Sequence, residues 1–176
     1  MSLKIDTKLM RSTIFLLALV TSACSHAQLD CQIDNPALQA MPKIEVTLTR
    51  DDGSRVIMPA KLADNNATRA AGFQRVCEST IEAMPILFVF NHPSVPSFHM
   101  NNVVAPIDIA FIDNDGDLES IQSMNPYSML QVKKPLYSPK RPVLYALEVH
   151  KGFYQKHKIS VDSKMTWTLP SANLSD

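Results

Sequence analysis

Lys43-Ile44-Glu45-Val46-Thr47-Leu48-Thr49-Arg50-Asp51-Asp52-Gly53-Ser54-Arg55-Val56-Ile57-Met58-Pro59-Ala60 is the stretch that decides the fold. Ile44, Val46 and Leu48 alternate with charged or hydroxyl residues, which is the period of a strand with one buried face. Asp51-Asp52-Gly53-Ser54 then supplies a hairpin turn, because glycine accepts the left-handed backbone such turns need. Residues 55–60 return with Val56 and Met58 inward. The chain therefore opens its folded body as a β-hairpin.

Outward from that hairpin the pattern continues. Asn65-Asn66 caps a short helix over residues 67–71, which Gly72 ends. Residues 86–90, Ile-Leu-Phe-Val-Phe, form an apolar run expected of a strand buried on both faces. Asn91-His92-Pro93 is expected to break it, with a further strand over residues 97–100 and another over 107–112. Asn114-Asp115-Gly116-Asp117 repeats the tight-turn chemistry and leads into a strand over 118–124. Residues 125–140 lack periodicity and hold Pro126, Pro135 and Pro139, which predicts a long ordered loop. Residues 143–149 form the last long strand, followed by a short helix over 153–157 and a closing strand over 165–169. The expected fold is mainly β: a single compact barrel or sandwich of seven or eight strands with two short helices. Periodicity does not choose between barrel and sandwich.

The chain has 176 residues, of which 45% are hydrophobic and 19% charged, with 12 prolines against 4 glycines. These values suit one globular domain and exclude a disordered chain. The N-terminus reads as a secretion signal. Lys4, Lys8 and Arg11 precede a short apolar run, residues 14–20, and then small residues. That run is too short to span a bilayer, which takes about 20 residues. Ser22-Ala23-Cys24 resembles the end of a lipobox, so cleavage after residue 23 would leave Cys24 for lipidation; Ser25-His26-Ala27 offers an alternative cut after residue 27. The expected organisation is signal 1–23, tail 24–41, β domain 42–170 and C-terminal tail 171–176. The expected location is exported and periplasmic, in the outer membrane if Cys24 is lipidated, with the lipid as the sole membrane attachment.

Three cysteines leave two once Cys24 is set aside. In an oxidising compartment Cys31 and Cys77 either pair, tying tail to domain, or remain free thiols. Net charge is zero. Residues 28–124 hold 6 basic and 13 acidic groups, whereas residues 125–176 hold 8 and 3. A protein-wide nucleic-acid footprint is excluded. Lys133, Lys134, Lys140 and Arg141 mark a local cationic segment, more simply read as a solvated loop.

Several segments together resemble one family. Gly72-Phe73-Gln74-Arg75 is similar to its Gly-Leu-Met-x-Arg, and residues 85–90 to its Gly-Met-Leu-Phe-Val-Phe. Phe98-His99-Met100-Asn101-Asn102 resembles its Trp-x-Met-Lys-Asn. Residues 106–113 nearly repeat its Pro-Leu-Asp-Ile-Ala-Phe-Ile-Asp, and residues 145–149 its Tyr-Val-Leu-Glu-Val, with Gly152 following. In this order they cover roughly residues 43–169 and resemble the domain of unknown function 192 family. The resemblance implies a compact β domain, often exported or lipid-anchored, with no agreed reaction. Asn101 stands where the family usually carries Lys or Arg, and Phe98 where it usually carries Trp.

The candidate ligand-binding residues are Arg75, His99, Asn101, Asn102, Asp108, Tyr145 and Glu148, expected around one cleft closed by the 125–140 loop. Asp108 and Glu148 lie inside apolar strands, where a carboxylate must point outward or be paired. They would serve either as a general acid/base pair or as structural partners of Arg75 or Arg141. His92, His99, Met100, Met124 and Met129 suggest soft-metal chemistry, but neighbours on a strand face opposite sides, so no metal site is assigned. Cys77 has no evident base beside it and there is no phosphate-binding glycine loop. The reading that follows is a non-catalytic envelope module binding a small polar ligand or another envelope protein, with no cofactor. An envelope hydrolase or lyase using the two carboxylates is the first alternative, and a copper-binding periplasmic protein the second.

Overall fold

Strand alternation and turn chemistry dictate the first hairpin, and it forms as the sequence requires. In the structure, a computed structural model describing residues 31–128 and 130–169, β1 (Lys43–Thr49) pairs antiparallel with β2 (Arg55–Ala63), Ile44 opposite Ala60 and Leu48 opposite Val56. Before it comes α1 (Pro36–Ala40), capped by the Asn35 side chain, which accepts from the backbone of Ala37 and Leu38. After it come α2 (Asn66–Ala71) and α3 (Glu78–Ala83). The remaining elements are β3 (Ile86–Ser94), β4 (Ile107–Ile112), β5 (Leu118–Met124), β6 (Val143–His150), α4 (Phe153–Lys156) and β7 (Lys164–Thr168).

The seven strands form one sheet in the order β5-β4-β6-β3-β2-β1-β7. Only the β2–β3 pair is parallel, and the crossover between those strands carries α2 and α3. The two edge strands meet at one point. Asp117 bridges Lys164 across the seam, Met165 N donates to Gly116 O at 2.8 Å, and Lys164 Nζ lies 2.7 Å from Asp117 Oδ1. The sheet thus curls towards a barrel that is latched at this point rather than closed along its length.

Curvature gives the sheet an inside and an outside, and both are apolar. One core gathers a side chain from every strand: Val46, Leu62, Leu87, Ala110, Leu118, Leu147 and Met165, with Phe153 and Tyr154 of α4 packed among them. The second lies on the outer face of the β3–β6–β4 region, where Phe88, Ile109 and Phe111 meet Leu38, Phe73 and Ile81 from the segments carrying α1, α2 and α3. This double cover explains why all six residues of β4 are buried.

Three expectations need correction. Residues 97–100 form no strand; Phe98 makes only an isolated bridge with Tyr137. Pro93 does not end β3, which runs on to Ser94, because the register shift between Val89 and Ser94 takes up the proline's missing N–H. The described residues hold four short helices, not two, since α1 and α3 span five and six residues and leave little periodic signal. The signal segment, Cys24 and Met129 lie outside the described residues.

Candidate functional site

Glu148 sits in the C-terminal half of β6, flanked by Leu147 and Val149 and paired with Ile86 on one side and Ile109 on the other. Its side chain points to the outer face, beneath the turn that ends α2, and is only 4% exposed. Oε2 has no hydrogen-bond partner. Burial alone lifts the carboxyl from an ordinary 4.5 to about 8, so at neutral pH it keeps its proton.

Above this carboxyl is a cavity of about 280 Å³. The chain from Arg69 to Gln74, Phe88 and Phe90 of β3, residues 97–99, Val103 and Glu148 line it. The local sequence explains the shape. Asn65 and Thr68 form a capping box that starts α2, and Gly72 ends it at φ 46°, a left-handed value that favours glycine. The chain then turns down to bury Phe73. Phe88 and Phe90, two residues apart, share a strand face. Phe98 meets both edge-on, at centroid distances of 5.0 and 6.5 Å. The 125–140 loop straps this wall through backbone bonds between Phe98 and Tyr137 and a Ser97–Ser138 hydroxyl contact of 2.9 Å.

Of the seven expected residues, the cavity brings together Glu148 and His99. His99 Nδ1 accepts from Asn101 N at 3.3 Å. Asn101 and Asn102 stand beside the site without lining it. Asn101 Oδ1 accepts from Lys134 Nζ, and Asn102 Nδ2 donates to Gln74 Oε1 at 3.2 Å. Arg75 acts through its backbone, with φ 58°: its N–H donates to Asn102 O and its carbonyl accepts from Gln32 N.

Asp108 and Tyr145 lie on the other face of the sheet. Asp108 pairs with Val149 and Ile109 with Glu148, so the two carboxylates point in opposite directions. The acid/base pair is therefore not formed, and neither carboxylate meets Arg75 or Arg141. Asp108 is buried and satisfied, with Oδ1 accepting from Ser123 Oγ at 2.6 Å and Oδ2 from Gly152 N at 2.7 Å. It holds the turn into α4. Tyr145 lines a separate hollow together with Gly116 and Trp167. No group of three or more His, Cys, Asp or Glu side chains among the described residues is placed to hold a metal ion. Met100 is buried in the outer core while its neighbour His99 faces the cavity, so the two do not form a copper face.

Cys31 and Cys77 form a disulfide with Cα atoms 4.9 Å apart. Sequence reasoning missed Arg69 and the aromatic wall, although the Phe88/Phe90 spacing signals a shared face. Arg69 Nη1 donates to Val89 O at 2.8 Å and Nη2 to Asn66 Oδ1 at 2.8 Å, with the guanidinium 5.9 Å from the Phe90 ring centre.

No curated protein matches the chain. Solved structures share its fold, among them these two. One, from Sinorhizobium meliloti 1021 and described as a proposed transcription regulator, is 23% identical with a TM-score of 0.64, over 72% of this chain and 95% of that one. The other, a protein of unknown function from Novosphingobium aromaticivorans DSM 12444, is 25% identical with a TM-score of 0.62, over 77% and 99%. The family model of DUF192, described as "Uncharacterized ACR", matches residues 46–167, and the chain belongs to that family.

Proposed function

We propose that this protein is a non-catalytic binding module of the cell envelope that takes a small ligand into the Glu148 cavity. One observation carries the reading: a carboxyl oxygen is buried without a partner at the floor of a cavity lined by aromatic rings. An unpaired buried polar group costs about 1–3 kcal/mol, a penalty that a ligand donating a hydrogen bond removes. A few polar groups set in an apolar lining is the usual make-up of small-molecule sites. The Cys31–Cys77 disulfide, with the basic and apolar N-terminus, supports an oxidising compartment outside the cytoplasm. The hydrolase reading loses its second carboxylate to the far face of the sheet.

Thermal-shift measurements with a panel of amines, amino acids, sugars and small carboxylates test this. A ligand at ten times its Kd adds about 1.4 kcal/mol, roughly 3–5 °C for a domain of this size. The expected result is such a shift in the wild type and its loss in Ala70→Trp, which fills the cavity from exposed α2. Equal responses of the two proteins to every compound would refute the site. Fractionation of cells expressing the full chain tests the envelope location, and a soluble cytoplasmic protein with reduced cysteines would count against it.

A further inference from the structure

We infer that the Glu148 cavity selects an organic cation, a primary ammonium on an apolar body, over neutral or anionic ligands of the same shape. The inference deepens the binding reading above and rests on it.

The polar groups left over in the cavity decide the matter. Gln74 is used at both ends, Nε2 donating to Ala70 O at 2.7 Å and Oε1 accepting from Asn102. Ser97 is engaged with Ser138, and Arg69 spends one N–H on Val89 O and one on Asn66 Oδ1, two of its five. Glu148 Oε2 is the one buried side-chain nitrogen or oxygen among the described residues without a hydrogen-bond partner. An apolar body with one strong donor fits the inventory.

The charge of that donor follows from what surrounds Glu148. From α2, Arg69 is turned towards Val89 O and Asn66. From the loop before β4, His99 Nδ1 accepts from Asn101 N. Through the sheet, Asp108 of β4 is satisfied by Ser123 and Gly152, and Tyr154 of α4 donates to Leu147 O at 2.7 Å. None of these groups supplies a counter-charge to Glu148. An anionic ligand would hold the carboxyl in its protonated form, whereas an ammonium gives the carboxylate both a hydrogen bond and a charge partner. Phe88 and Phe98 provide rings that attract cations and pack against the apolar part, while the Phe90 ring already holds the Arg69 guanidinium at 5.9 Å. The proton balance is explicit. The empty site holds a protonated carboxyl, so R–NH3+ enters, the Glu148 O–H bond breaks, and one H+ passes to solvent, leaving an ammonium–carboxylate pair.

Three probes of one shape test this: 2-phenylethylammonium, 2-phenylethanol and 3-phenylpropionate. They are titrated calorimetrically at pH 7 into purified wild type and Glu148→Gln, in buffers of different ionisation enthalpy. Thermal melts establish that the variant is folded. The ammonium is expected to bind the wild type at least about tenfold tighter than the alcohol, with the carboxylate weakest. It is expected to release close to one proton, and both preference and release should vanish in the variant. Alcohol binding as tight as the ammonium's, or ammonium binding without proton release, overturns the inference and leaves the binding module standing. If none of the three probes binds at millimolar concentration and the broader panel also gives nothing, the binding reading itself fails.

Discussion

Asp108 and Glu148 lie one pairing apart on adjacent strands, yet one is fully hydrogen-bonded inside the barrel and the other unpartnered outside it. The same residue class thus has two jobs, set by which way each strand position faces. Asp108→Ala would strand the Ser123 hydroxyl and the Gly152 N–H. The expected loss is about 2–3 kcal/mol in urea unfolding, with ligand affinity unchanged. A ligand effect as large as the stability effect would contradict the separation of the two faces.

Glu148 makes stability depend on pH in a defined window. Its folded pKa, about 8, is above its ordinary 4.5, so between those values the native state holds a proton that the unfolded state has lost. Stability is therefore fully present below about 4.5 and falls as pH rises, levelling off above 8. The integrated loss is of order 3–5 kcal/mol. Glu148→Gln should remove most of this slope, leaving the variant more stable than wild type at pH 9. Parallel pH–stability curves for the two proteins would show that the carboxyl is not buried as described.

The disulfide closes a sequence separation of 46 residues. Replacing Cys31 and Cys77 together by alanine should lower stability by about 2–4 kcal/mol. Reductant should move the wild-type denaturation midpoint towards that of the double variant and leave the variant's own midpoint in place.

Two turn glycines predict a graded pair. At Gly53, φ 78°, a Cβ would meet nothing within 4 Å, so Gly53→Ala carries only the left-handed backbone penalty of about 1–2 kcal/mol. At Gly116, φ 82°, a Cβ would fall 2.3 Å from the Met165 carbonyl oxygen, on rigid backbone at the seam. Gly116→Ala should cost at least about 2 kcal/mol more than Gly53→Ala by chemical denaturation. Equal losses would mean that the seam yields.

Strands with one wet face were legible in the sequence, because polarity alternates with direction: β1 and the first half of β2 follow this pattern. β4 and β6 were visible as strands, but the facing of Asp108 and Glu148 was not. Alternation shows that Asp108 opposes Ile107 and Ile109; it does not show that both sides are covered, the first three helices packing on the Ile109 side and α4 on the Asp108 side. An exposed side for Asp108 was a fair expectation for a sheet covered once, and double cover overrules it. The cavity was half legible. His99 and Glu148 stood out as polar residues within apolar segments, whereas Arg69 lay on a short helix whose position depends on the parallel β2–β3 crossover. That crossover is a long-range fact with no local signature.

The Cys31–Cys77 link also sets a path for mechanical load. Tension applied to the chain ahead of Cys31, as by an anchor at Cys24, would pass through the sulfur bridge straight to the start of α3. Residues 32–76 would be spared, including α1, the first hairpin and the Arg69–Gln74 rim. A tethered molecule could thus be tugged from its N-terminus without prising that rim away from Glu148.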